Sequence, residues 1–316
     1  MIATLQRWGL VVQLALSALI AVWLASRGHT SVGAAIAIGI AVPLALHAAL
    51  LTLGFAIAWA GRGERPADEP GPGTLAELGH WIGAWLREIP DSIRTFDVAQ
   101  PLLSRRPFGT AARDPARMPV LLLHGYFCNR GLWRRMAPRL IARGHPVEAL
   151  DLEPPFASID DYAPRIAEAV DALRRRTGAP QIALVAHSMG GLAARAYLRA
   201  FGDEAIACVV TLGTPHQGTV HARLGRGRNA RQMRRGSDWL RRLASEEPAE
   251  GLRKFTVVLS RQDNIVAPQA EQTLPGATTV TLRGLGHISL ACDPRVARIV
   301  YEAIESAQRD SQHRGC

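Results

Sequence analysis

Ser188 stands in the run Ala186-His187-Ser188-Met189-Gly190-Gly191, directly after the apolar stretch 181–186 and ahead of a helix-forming stretch that begins near Leu192. A serine on a sharp strand-to-helix turn needs small residues two places before and after it, because the tight backbone leaves no room for larger ones; Ala186 and Gly190 meet that need. The turn exposes the hydroxyl, and the helix N-terminus behind it favours negative charge. A serine hydroxyl is a weak nucleophile at neutral pH, so it requires a base, and the base requires a group that fixes its tautomer. Of the histidines well downstream, His287 in Gly284-Leu285-Gly286-His287 follows the stretch 278–282, whereas His313 lies in a polar tail; His287 is the candidate base. Asp263, in Ser260-Arg261-Gln262-Asp263-Asn264 after the stretch 255–259, is the candidate orienting acid, with Asp151 and Asp293 as rivals. Backbone N–H groups of Tyr126, which follows 120–123 and His124-Gly125, and of Met189 are the expected donors to a developing oxyanion. His124 is read as structural, its ring bonding the loop backbone. Tyr126, Phe127 and Met189 are expected to line the substrate pocket.

These side chains have to be positioned by a scaffold, and six short β-rich runs supply one: 119–123, 146–150, 181–186, 207–212, 255–259 and 278–282. Helical stretches fill the gaps between them. Such alternation specifies an α/β fold with a mostly parallel sheet, buried on both faces, whose strand ends carry Ser188, Asp263 and His287 to one edge.

His124-Gly125-Tyr126, the Ser188 turn, Thr211-Leu212-Gly213-Thr214-Pro215-His216-Gln217-Gly218-Thr219, Asp263 and Gly286-His287, in this order, resemble the bacterial triacylglycerol lipase and esterase family of the α/β-hydrolase fold over roughly residues 117–300. Ala186 replaces the first glycine of the usual elbow, a variant known in bacterial lipases, and 232–240 is similar to the segment leading into the lid of such enzymes. The resemblance implies an α/β-hydrolase fold and a serine carboxylic-ester hydrolase acting on fatty-acyl esters of a lipid or small ester substrate. The same triad would serve a lysophospholipase or an acyltransferase, and a non-catalytic membrane scaffold is the reading outside enzymology. Secreted lipases of this kind often build a calcium site partly on an acid two residues after the histidine. Here Ile288-Ser289-Leu290 follows His287, so no calcium and no other cofactor is expected.

The rest of the chain departs from that family. Arg7 and Arg27 are the formally charged side chains of residues 1–60, and the uncharged runs 8–26 and 31–61 are each long enough to cross a hydrocarbon core of about 30 Å. The expectation is a transmembrane helical hairpin over 1–61, with a signal peptide as the rival for its first segment alone. Arg7, Arg62 and Arg65 outnumber Arg27, which leans the catalytic domain toward the cytoplasmic side of a bacterial inner membrane. A Pro/Gly-rich linker at 62–73 leads to a helix whose apolar stripe, Leu75, Leu78, Trp81, Ile82, Trp85, Leu86 and Ile89, ends before Pro90. That stripe suits either the bilayer surface or the globular domain. The domain expectation is a hairpin at 1–61, a linker and connector at 62–116, and a catalytic domain at 117–310 with a cap insertion at about 216–250.

A net charge of +10 invites nucleic acid as a partner, but Lys254 is the single lysine among 37 cations, so the excess is one of arginine. Eight of these arginines fall within 216–250, against four acids. The membrane bilayer is the expected partner and nucleic acid is not; composition says nothing of the oligomeric state. Cys128, Cys208, Cys292 and Cys316 show neither short-spaced pairing nor metal-ligand spacing and are read as free thiols.

Overall fold

The computed structural model describes residues 1–28, 30–63, 74–108, 114 and 116–314; most of the expected linker, Cys316 and the side chain of His313 lie outside the described residues. The N-terminal part comprises α1 (Ile2–Ser26), α2 (Val32–Ala60), α3 (Leu75–Ile93), a π-helical turn (Arg94–Ala99) and α4 (Gln100–Leu103). Strands β1 (Val120–Leu123), β2 (Val147–Leu150), β3 (Ile182–His187), β4 (Ile206–Leu212), β5 (Phe255–Ser260) and β6 (Thr278–Leu282) follow. They form one sheet in the order β2-β1-β3-β4-β5-β6, and every neighbouring pair is parallel. The six apolar runs of the sequence are these six strands.

Parallel pairing requires crossovers, and the helices that make them cover both faces. Successive strand residues point to opposite sides of the pleat. Leu121 and Leu123 of β1, with Leu184, Val209 and Val257, pack on α6 (Ala163–Thr177) and α7 (Met189–Phe201). Val120 and Leu122, with Val185, Val210 and Val258, pack on α5 (Ala137–Ile141) and α12 (Pro294–Arg314), the latter preceded by the short α11 (Ser289–Cys292). Helix α7 starts at Met189, three residues ahead of the expected Leu192, because the turn consists of Ser188 alone.

Among the described residues, α1 and α2 are long and apolar enough to cross a membrane. Small residues let them approach: a Cβ on Gly39 would lie 2.5 Å from the Ser17 carbonyl oxygen and 3.2 Å from Ala21 Cβ. Helix α3 does not stop before Pro90 but runs through it to Ile93. A proline inside a helix removes one backbone hydrogen bond; here Glu88 and Ser92, both buried, anchor the chain on either side of it, and Ser92 Oγ lies 2.9 Å from His47 Nε2 of α2. Trp81 is buried, edge-on to Phe55 and Trp59 of α2, rather than on an open stripe. The exposed apolar residues of α3 are Leu75, Leu78, Ile82 and Leu86, on a different face.

Between β4 and β5 the chain makes a 3-10 turn (Val220–Arg223), α8 (Gly227–Gln232), α9 (Asp238–Glu246) and α10 (Ala249–Leu252). Three of the arginines in this region are in ion pairs, Arg228 with Asp161, Arg235 with Glu271 and Arg241 with Asp238. A buried pair ties the region to the sheet: Arg195 of α7 donates through Nε and Nη2 to Glu247 at 2.7 and 2.5 Å, and through Nη1 to the His216 carbonyl at 3.1 Å. Removing one partner of such a pair strands a charge out of water. Glu247→Ala is therefore expected to lower unfolding stability by about 3–5 kcal/mol in a denaturant titration; a loss within a few tenths would show that the pair contributes nothing net.

Candidate active site

The carboxyl edge of the sheet is where β1, β3, β4, β5 and β6 release the loops that carry the candidate residues. Ser188 has φ 55° and ψ −128°, a conformation disfavoured for a residue with a side chain. Its surroundings over-determine it. The Ser188 N–H donates to the Leu212 carbonyl at 2.9 Å, and its own carbonyl accepts from Thr214 Oγ1 at 2.9 Å. A Cβ on Gly190 would come 2.4 Å from the Leu123 carbonyl oxygen, and one on Gly191 would come 2.1 Å from Thr214 Oγ1. The glycines are thus required by the neighbouring strand and loop, not only by the turn itself.

Asp263 and His287 come together from the ends of β5 and β6, with His287 Nδ1 2.8 Å from Asp263 Oδ2. The other carboxylate oxygen, Oδ1, accepts from the N–H groups of Ile265 and Val266, each at 2.8 Å. Both residues are buried. Burial alone would lower the His287 pKa, but the Asp263 charge and hydrogen bond, with the Glu88 charge behind them, reverse this and hold it above the ordinary 6.5.

The polar run after β5 grips the loop that carries the histidine. Ser260 Oγ donates to the Leu285 carbonyl at 2.7 Å, Gln262 Oε1 accepts from the Gly284 N–H at 2.8 Å, and Asn264 Oδ1 accepts from the His287 N–H at 2.8 Å. Gln262 and Asn264 were not singled out from sequence, although four consecutive polar residues after an apolar strand were a usable signal. His187 was missed as well. Its Nε2 lies 2.9 Å from the His287 carbonyl, its ring centroid is 4.5 Å from that of His287, and burial next to His287 pulls its pKa down to about 3, which keeps it neutral.

On the other side of Ser188, a Cβ on Gly125 would lie 2.7 Å from Ser188 Cβ, so the turn after β1 passes directly over the serine. The His124 ring is held by the loop backbone, with Nδ1 2.9 Å from the Gly125 carbonyl and Nε2 accepting from the Leu152 N–H at 3.0 Å. Tyr126, Phe127 and Phe156 form an aromatic cluster with centroids 5.6–6.5 Å apart. The Tyr126 hydroxyl donates to the Arg226 carbonyl at 2.9 Å and accepts from its N–H at 3.0 Å, which pins the region between β4 and β5 to this turn. Met189 is buried, with Asn229 Nδ2 of α8 3.5 Å from its sulfur.

Two braces reach the site from the N-terminal helices. Gln6 of α1, Gln100 of α4 and Asn129 form a buried network: Gln6 Nε2 donates to Gln100 Oε1 at 3.0 Å and to the Phe127 carbonyl at 3.2 Å, and Asn129 Nδ2 donates to Gln6 Oε1 at 2.8 Å. Glu88 of α3 accepts from the Ile288 and Ser289 N–H groups next to His287. Neither brace was read from sequence: Glu88 shares its helix face with Glu77 and Ser92 as well as Trp81 and Ala84, and Gln6 lies next to Arg7, ahead of the uncharged run 8–26, so neither stood out. The rival acids Asp151 and Asp293 lie elsewhere, Asp151 accepting from the Arg130 N–H and Asp293 pairing with Arg295. Cys128, Cys208 and Cys292 are buried free thiols. Among the described residues no group of three His, Cys, Asp or Glu is arranged to hold a metal ion.

Residues 118–234 match the model of the alpha/beta hydrolase fold family. Over 115 residues the chain is 34% identical to a triacylglycerol lipase of Pseudarthrobacter phenanthrenivorans, covering 34% of this chain and 35% of that one. A triacylglycerol lipase of Burkholderia plantarii is also 34% identical over 115 residues, or 32% of its length. The chain thus matches about a third of the length of these curated relatives. In three dimensions it is similar to the mature lipase BlEst2 of Bacillus licheniformis, with a TM-score of 0.56 at 18% identity, over 62% of this chain and 96% of that one. Lipase B of Aspergillus fumigatus gives a TM-score of 0.54 at 14% identity, over 62% of this chain and 55% of that one. With its six-stranded parallel sheet and its serine in a strained strand-to-helix turn, the chain has the α/β-hydrolase fold, and over residues 118–234 it is similar to lipases of that fold.

Proposed function

We propose that this chain is a serine hydrolase of fatty-acyl carboxylic esters, anchored in a membrane by its first two helices. The observation that carries the reading is the buried 2.8 Å contact between Asp263 and His287 on the strand edge where Ser188 occupies its positive-φ turn. Ser188 Oγ attacks the ester carbonyl carbon while His287 Nε2 takes its proton. Asp263 holds the Nδ1–H and stabilises the imidazolium. The N–H groups of Tyr126 and Met189 receive the oxyanion, each donor being worth on the order of 3 kcal/mol in the transition state. Collapse expels the alcohol, protonated by His287, and water activated by the same imidazole releases the fatty acid. Tyr126, Phe127 and Met189 line the acyl pocket, and the triacylglycerol lipases among its relatives support an ester of this class as substrate.

In detergent, the wild-type chain is expected to hydrolyse a p-nitrophenyl ester series and to be labelled by a fluorophosphonate. Ser188→Ala should abolish labelling and cut hydrolysis at least about 10³-fold; labelling that survives the substitution would remove Ser188 as nucleophile.

Catalysis needs neutral His287, whose pKa is raised above 6.5, so kcat/KM should fall on acidification through an apparent pKa above that value. Asp263→Asn removes the raising charge and the correct tautomer. It should shift this limb to lower pH and reduce kcat about 10⁴-fold; an unmoved limb would break the assigned pairing.

The membrane reading is supported by α1 and α2, each long and apolar enough to cross a bilayer, and by the exposed stripe Leu75, Leu78, Ile82 and Leu86 on α3, which suits a bilayer surface. We place the catalytic domain on the cytoplasmic side of a bacterial inner membrane, following the distribution of Arg7, Arg27, Arg62 and Arg65. The chain should stay in the membrane pellet after alkaline extraction, and a phosphatase reporter that works only in the periplasm should be inactive when fused after α12. An active reporter would reverse the orientation, and release by alkali would remove the anchor.

A further inference from the structure

We propose that Glu88 of α3, far outside the sheet in sequence, is a positioning residue for catalysis, its buried carboxylate fixing the backbone that presents His287. This rests on His287 being the catalytic base. Oε1 accepts from the Ile288 N–H at 2.7 Å and Oε2 from the Ser289 N–H at 2.9 Å, so both oxygens are used on the two residues that follow the imidazole. Glu88 is fully buried, and the fit is close from the other side too: a Cβ on Gly286 would come 2.5 Å from Glu88 Oε2. With Asn264 on the His287 N–H, the backbone N–H groups of three consecutive residues, 287 to 289, are taken by side chains. Two parallel N–H donors need two acceptor oxygens. A carboxylate supplies them, whereas a glutamine would offer one oxygen and turn an NH2 toward the second donor.

The charged and titratable groups around Glu88 come from several elements. His287 lies on the loop it holds, and Cys292 on α11 feels its charge. On α3 itself, Asp91 Oδ2 accepts from Ser289 Oγ at 3.1 Å and Asp91 Oδ1 pairs with Arg135 at 2.9 Å, while Arg87 Nη1 donates to the Gly284 carbonyl at 3.1 Å. Burial pushes the Glu88 pKa up to about 6, against the lowering effect of the two N–H groups and of His287. A carboxyl raised from 4.5 in this way favours the fold most when protonated, and loses that contribution as pH rises through about 6.

The test is Glu88→Gln in the full-length chain, assayed beside wild type, Ser188→Ala and His287→Ala. Glu88→Gln, which turns an NH2 toward one buried N–H, should lower the melting temperature modestly while the chain stays folded at the assay temperature; it should lower kcat about ten- to a hundredfold with KM little changed, and move the acid limb of kcat/KM to lower pH, since the charge that helps raise His287 is gone. Wild-type kcat with an unmoved limb overturns the proposal, as does a loss of kcat that only tracks a lower melting temperature. If Glu88→Gln fails to fold, Gly286→Ala presses on the same carboxylate from the loop side. It should lower kcat, and it should do so less in a Glu88→Ala background, where the clashing carboxylate is absent; equal effects in both backgrounds overturn the proposal. Activity retained by His287→Ala would defeat the triad reading itself, whereas an inactive His287→Ala beside a wild-type-like Glu88→Gln would defeat the role of Glu88 alone.

Discussion

Beyond the last rung of a parallel sheet, a buried backbone N–H has no strand to pair with, yet leaving it unpaired costs about as much as a lost hydrogen bond. The whole active edge of this molecule is organised by that constraint. All six parallel strands end there, and much of the loop backbone they release is buried, so its polar groups have to be met by side chains. Gln262, Asn264 and Glu88 meet the N–H groups of Gly284, His287, Ile288 and Ser289; Asp263 meets those of Ile265 and Val266; Gln100 Oε1 meets that of Asn129 at 2.9 Å. The strained Ser188 persists because the Leu212 carbonyl and the Thr214 hydroxyl hold both ends of its peptide units. The geometry of the candidate site is thus a by-product of satisfying backbone hydrogen bonds without a sheet.

What could be read in the sequence follows from how local each cause is. Continuous apolar runs bounded by turns are a local signal of doubly buried strands, and all six were legible to within one or two residues. The candidate triad was legible for the same reason, since each member sits at the end of such a run. The end of α3 was misread because Pro90 speaks only to its own turn, while the contacts of Glu88 and Ser92 that carry the helix past it are tertiary. Gln6 and Glu88 were invisible as braces of the candidate site for a related reason. Each acts on a backbone group 121 to 201 residues away, and nothing in its neighbourhood names that partner.

The region between β4 and β5 shows how an averaged charge can mislead. Its arginines look like a uniform basic face in one dimension. In three, Arg228, Arg235 and Arg241 are in ion pairs, and Arg226 is held through its backbone by the Tyr126 hydroxyl. The region is secured to the rest of the domain through Arg226, Asn229 and Glu247, which bond to Tyr126 on the turn over the serine, to Met189 and to Arg195.

The glutamine in α1 has a consequence for how the molecule is made. A ribosome delivers Gln6 long before its partners: Gln100 is synthesised 94 residues later and Asn129 123 residues later. Until then its amide is a polar group in a mostly apolar helix, without the side-chain partners it has in the folded chain. The loop after β1, in turn, reaches its final form only when the first helix is there to receive it. The network thus closes only once residues 100 and 129 have been made, so the first helix is completed by the domain whose loop it braces.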